Sequence, residues 1–85
     1  MSTHSMEQAL YDISTAPPNA QRFKENPRAF LSAYALEREE ELIILEMNVA
    51  EMIRRSLNPM LAMRAFQSVE GRDQMPEYLR RIQGT

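Results

Sequence analysis

Residues 21–66, QRFKENPRAFLSAYALEREEELIILEMNVAEMIRRSLNPMLAMRAF, decide the fold. Two Asn-Pro pairs, Asn26-Pro27 and Asn58-Pro59, punctuate this stretch. In each, the Asn side chain can accept from an orphan N–H while Pro opens the first turn, where its missing N–H is no loss. The spacing predicts helices over 18–25, 27–33 and 59–69. Phe23, Phe30 and Leu31 supply the inward faces of the first two, and Leu61, Met63 and Phe66 that of the third. Between them, Glu37, Glu39, Glu40 and Glu41 crowd one helix start, and Arg54 and Arg55 an end, as the helix dipole favours. Leu42, Ile43, Ile44 and Leu45 are consecutive, which predicts burial on more than one side. Asn48 reads as an N-cap that splits this segment into helices over 37–47 and 49–56, a single long helix being the alternative.

Toward the N-terminus, Met6, Ala9, Leu10 and Ile13 draw one apolar stripe at helical spacing. They predict a helix from about Ser5 to Thr15, with Ser5 as its N-cap and residues 1–4 as a frayed terminus. Pro17 and Pro18 end it, since the residue before a proline avoids the α region, and Pro18 fits the first turn of the next helix. Gly71 is the natural stop for the helix over 59–69, and Met75-Pro76 opens a last helix to about Ile82, with 83–85 as a tail. Glycine is scarce and β-branched residues never alternate with polar ones, so no strand is expected. The expected fold is all-α, one domain over 1–85, a small multi-helical orthogonal bundle of about five to seven short helices.

A chain of 85 residues has a thin core. Chains of this size bury only about 60–65% of their unfolded surface and often lean on a metal, disulfides or a partner. There is no Cys, which excludes disulfides and fits a reducing cytoplasm. No apolar run approaches the roughly 20 residues that span a bilayer, and no basic segment precedes a hydrophobic block near the N-terminus. A cytoplasmic protein with no membrane partner is expected. The net charge of −2 hides an asymmetry: residues 1–51 carry nine acids and four bases, residues 52–85 three acids and six bases. Nine of the ten bases are Arg, whose planar fork suits carboxylate partners. Complementation of helix dipoles and solvation explains this pattern, and so does an interface with an acidic partner. The bases are spread out and lack neighbouring aromatics, so nucleic acid is not an expected partner.

Catalytic chemistry is sparse. The one His, His4, reads as a solvated tail residue, and a Zn or Fe site needs several ligands converging. The run EREEE at 37–41 reads as a solvated helix start, and no nucleophile–base pairing is visible among the serines. No cofactor is expected in this chain. Met47, Met52, Met60 and Met63 cluster around the later helices, as core filling, an adaptable docking surface or the lining of an apolar pocket. Tyr34 and Tyr78 read as interface anchors or core-edge packing. The candidate partner-binding set is therefore Tyr34, Met52, Arg54, Arg55, Met60, Met63, Arg64 and Tyr78.

The pattern R-F-x-x-N-P-x-A-x-x-x-x-Y-x-L-x-x-E-E runs from Arg22-Phe23 through Asn26-Pro27, Ala29, Tyr34 and Leu36 to Glu39-Glu40. Followed by an apolar block, a polar break and Leu57-Asn58-Pro59 with Leu61, it resembles the LigA family over roughly half of the chain. These are the small, alpha subunits of protocatechuate 4,5-dioxygenase, class III extradiol ring-cleaving enzymes, and their stand-alone relatives. The resemblance implies an all-helical domain that packs on a larger catalytic subunit. That subunit holds the non-haem Fe(II), and the small one covers the mouth of its active site. Three positions depart from the family pattern: Ala35 stands where Gly is usual, Asn48 where Asp commonly opens the helix, and no Gly occurs near Ser56. Two other readings are a recognition domain of a ribosomal-peptide modification system, which a core peptide after the last helix would mark, and a self-associating helical protein with a methionine-rich dimer face.

Overall fold

Both Asn-Pro pairs open helices, and the same punctuation sets the rest of the chain. The computed structural model describes residues 3–83, and among them it shows seven α-helices and no strand. They are α1 Thr3–Thr15, α2 Pro17–Glu25, α3 Pro27–Leu31, α4 Arg38–Leu45, α5 Val49–Arg54, α6 Pro59–Glu70 and α7 Met75–Gln83, with a 3-10 turn over Arg72–Gln74. The all-α multi-helical fold is therefore as expected.

The caps are made by the residues that predict them. Asn26 accepts from the Ala29 N–H at 3.3 Å, Asn48 from Glu51 at 3.2 Å and Asn58 from Met60 at 2.9 Å. Each satisfies one of the four orphan donors at a helix start. At the start of α4 the Glu40 carboxylate reaches back to accept from the Glu37 N–H at 2.6 Å, one half of a capping box.

The break at Asn48 is real, and the single long helix is excluded. Two consecutive helices end in the same way. Met47 takes φ +50° after α4 and Ser56 takes φ +67° after α5. The N–H after each bonds back five residues, Asn48 to the Ile43 carbonyl and Leu57 to the Met52 carbonyl, both at 3.0 Å. This is the Schellman arrangement, which favours Gly at the left-handed position. Here Met47 and Ser56 hold it, with Met47 and Leu57 anchored in the core.

Several boundaries differ from expectation. Ser5 lies inside α1 rather than at its cap, and Thr3 and His4 are helical rather than frayed; Met1 and Ser2 lie outside the described residues. The second helix begins at Pro17, one residue early, because neither proline of the pair needs its N–H there. The helix expected to 33 ends at Leu31, where Tyr34 N–H folds back to the Leu31 carbonyl at 3.0 Å. The last helix takes in Gln83, leaving Gly84 and Thr85 of the expected tail outside the described residues.

The core lies between α1, α2, α5 and α6. Met6, Ala9, Leu10 and Ile13 of α1 face Ala62, Ala65 and Phe66 of α6, all essentially inaccessible. The alanines on both helices let the two axes approach closely. Phe23, Phe30 and Tyr34 form an aromatic row with centroids 6.0 and 5.7 Å apart, and Phe66 packs on Tyr78 at 5.4 Å. The apolar run of α4 does not bury throughout: Ile43 and Ile44 are inside while Leu42 is 41% exposed. Four consecutive helical residues sweep about 300°, more than one core face can cover. Glu40 reverses the other expectation for this helix, being 4% exposed because its carboxylate is folded over the helix start. No helix among the described residues is long and apolar enough to cross a membrane.

Candidate functional site

Helices α1 and α6 run in the same direction. Near their beginnings the Glu7 carboxylate accepts from the Asn58 N–H at 2.9 Å, and near their ends Ser14 and Thr15 share a cavity with Gln67 and Ser68. The seam between them has two distinct ends. At the first, His4, Glu7, Gln8, Tyr11 and Leu61 line a shallow cavity of about 270 Å³. Tyr11 is 50% exposed there, and Met60, beside Leu61 in the chain, is 52% exposed.

At the second end the seam opens into a groove. One cavity of about 470 Å³ is lined by Ser14, Thr15, Arg64, Gln67, Ser68 and Arg72. A second, of about 420 Å³, continues it along α2 to Pro17, Ala20, Gln21 and Lys24 and shares Ser14, Ser68 and Arg72. Three cations from two helices and the turn after α6 thus line one groove, and no Asp or Glu lines it among the described residues.

Most of the other cations are paired locally. Arg54 and Arg55 both hold Glu51, at 2.7 and 3.1 Å, and Arg55 also reaches Glu39 at 2.9 Å. Arg80 and Arg81 both hold Glu77, at 2.6 and 2.8 Å, and Arg28 meets Glu41 at 3.5 Å. The hydrogen bonds from Arg80 and then Arg81 lower the Glu77 carboxyl to about 2, and those from Arg54 and Arg55 lower Glu51. Arg81 also donates to the Met47 carbonyl at 3.2 Å and lies 5.0 Å over the Phe66 ring, so it fastens α7 to the core.

The sequence-derived contact residues scatter when placed. Met52 and Tyr78 are corrections: Met52 is 0% exposed beneath α5, and Tyr78 is buried on Phe66, so neither reaches a surface. Burial raises the Tyr78 hydroxyl. Tyr34 is half-buried, and its hydroxyl donates to Asp12 on α1 at 2.5 Å. Its pKa is pushed up to about 12, first by burial and then by the Asp12 carboxylate. Arg54 and Arg55 are at the surface but engaged with carboxylates, and Met63 is half-buried. Only Met60 and Arg64 of the set stand exposed without a carboxylate or core partner among the described residues.

Sequence reading missed Tyr11, Ser14, Lys24, Ser68 and Arg72. Tyr11 and Ser14 lie three apart on α1 and Ser68 and Arg72 four apart around the end of α6, but Lys24 comes from α2, and only the fold brings these segments together. One signal was available: E-x-x-R-R occurs twice, at 51–55 and 77–81, and it marks the arginines that pair with their own helix. Among the described residues no group of three His, Cys, Asp or Glu side chains could hold a metal ion. Comparison of the chain with family models, with curated proteins and with solved structures found no match.

Proposed function

We propose that this chain is a non-catalytic binding module that docks on a larger protein through the seam between α1 and α6. The observation that carries this reading is the seam itself. A half-exposed Tyr11 with Leu61 beside it passes along one helix pair into a groove whose cations have no carboxylate partner among the described residues. Tyr and Arg are the side chains that dominate binding energy at protein interfaces, since each offers a wide contact area with polar reach. Surface tyrosines and arginines on separate faces would be ordinary; here they lie along the same helix pair.

The resemblance to LigA-like subunits supports a finer proposal. The larger protein would be an iron-dependent extradiol ring-cleaving dioxygenase, holding its own Fe(II), and this chain would cover the mouth of its site. Capture of tagged chain from its native host, with mass spectrometry and an iron assay of the eluate, tests both levels. A stoichiometric larger protein, lost on Tyr11→Ala with the helical signal intact, is expected for the docking reading, and iron in that protein for the finer one. An eluate holding only this chain, with a mass that grows with concentration, would replace docking by self-association.

A further inference from the structure

The groove at the far end of the seam has a chemistry of its own. Arg64 lines one cavity, Lys24 the other, and Arg72 both, so the three cations are strung out along the groove with Arg72 in the middle. Compact oxyanions are held by donors that converge on one point. A row of separated cations instead matches a row of separated anions. The neutral groups sharpen this distinction. The Ser14 hydroxyl gives its one hydrogen to the Tyr11 carbonyl at 3.0 Å, so it faces a ligand only as an acceptor. The Gln21 amide donates one N–H to Glu25 at 3.1 Å, which leaves its carbonyl oxygen and a second N–H for an outside partner. The Ser14 acceptor repels a phosphate but suits a backbone N–H, and Gln21 can meet both the N–H and the C=O of an extended chain.

We infer that the groove of Lys24, Arg64 and Arg72 binds an extended acidic peptide segment, its carboxylates on the cations and its backbone N–H groups on Ser14 and Gln21. This rests on the docking reading and names what the larger partner presents. Pro17 and Ala20 give the floor of the second cavity an apolar patch for the stems of Glu side chains. Nucleic acid fits less well. No aromatic among the described residues lines the groove for bases to stack on, and the chain as a whole carries −2.

Fluorescence anisotropy with a short labelled peptide of alternating Glu and Ser tests the inference on the full chain. Saturable binding is expected, weakening with salt, and falling about tenfold in an Arg64→Gln, Arg72→Gln double variant through loss of two surface ion pairs. Both side chains are exposed, so the variant should keep the wild-type helical signal. Arg38→Gln is the control: an exposed arginine outside the groove, with the same charge change per site. Absence of binding would overturn the inference. So would an effect per charge of Arg38→Gln equal to that of the groove residues, or displacement of the peptide by oligo(dT) or by inorganic phosphate beyond that of chloride at equal ionic strength. A double variant that still captures the partner at the wild-type level defeats the groove but leaves docking standing. A wild-type chain that captures nothing defeats docking itself.

Discussion

Replacing Met52 by Ala separates a core residue from a contact residue. Met52 is 0% exposed in α5, where it fills the space against α6 and α7. The substitution deletes Cγ, Sδ and Cε, and at about 0.8 kcal/mol for each buried group the transfer loss is about 2.4 kcal/mol. Incomplete collapse around the vacancy brings the total to about 3 kcal/mol, inside the range of about 2–5 for such truncations. A chain of 85 residues has about 4–13 kcal/mol of stability in all, so this is a large share. Urea titration followed by circular dichroism should show an earlier midpoint at unchanged slope, and the melting temperature should fall by about 12–24 °C. Met60→Ala, at a side chain 52% exposed, should stay within about 0.5 kcal/mol of wild type. A Met52→Ala loss below about 0.5 kcal/mol would refute the burial argument and return Met52 to the surface.

Ser56 holds φ +67° at the Schellman position after α5, where a residue with a Cβ costs about 1–2 kcal/mol. Ser56→Gly relieves that strain but adds unfolded-state entropy, so a net gain of about 0.5 kcal/mol is expected in the urea midpoint; a loss would mean that the Ser side chain supports the turn. The raised Tyr34 hydroxyl makes stability fall with rising pH. Below pH 10 both states keep the proton, and between 10 and about 12 the unfolded chain releases it while the folded chain holds it. Urea midpoints at about pH 9 and about pH 11 should therefore diverge less in Tyr34→Phe than in wild type, and an equal divergence would assign the effect to Tyr78.

Helix positions were legible because their determinants are local. Asn26, Asn48 and Asn58 each act within three residues of their own position, and the stripe of Met6, Ala9, Leu10 and Ile13 is a period any helix must show. What the sequence hid depends on distant neighbours. Asp12 meets Tyr34 across 22 positions and Glu7 meets Asn58 across 51, and nothing in either segment announces its partner. Met52 and Met60 have the same side chain, eight residues apart, yet one is sealed under α5 and the other stands in solvent. Only the packing of α5 on α6 and α7 separates them. Glu40 escaped for the opposite reason: its capping reach was local, but the surrounding acidic run made all its carboxylates look solvated.

The positive C-terminal third shows how a local pattern can be subtracted to expose a tertiary one. Residues 52–85 hold six arginines, and taken together they suggest a diffuse basic surface. Four of them belong to the two E-x-x-R-R units, where a glutamate one helical turn earlier holds both arginines. Glu39 completes the balance of the first unit, and the second keeps one net positive charge on a pair already bonded to Glu77. Arg64 and Arg72 have no such glutamate, because the positions three and four residues before them are Leu61 and Met60, and Val69 and Ser68. α6 turns Arg64 toward the end of α1, and the turn at Gly71, whose φ of +107° suits only glycine, sets Arg72 beside it. Lys24 arrives from α2 because the Ala16-Pro17-Pro18 junction folds that helix back along the same groove. The charge that matters for recognition is thus the remainder after intrahelical pairing, and it is brought together by two backbone turns rather than by any cluster in the sequence.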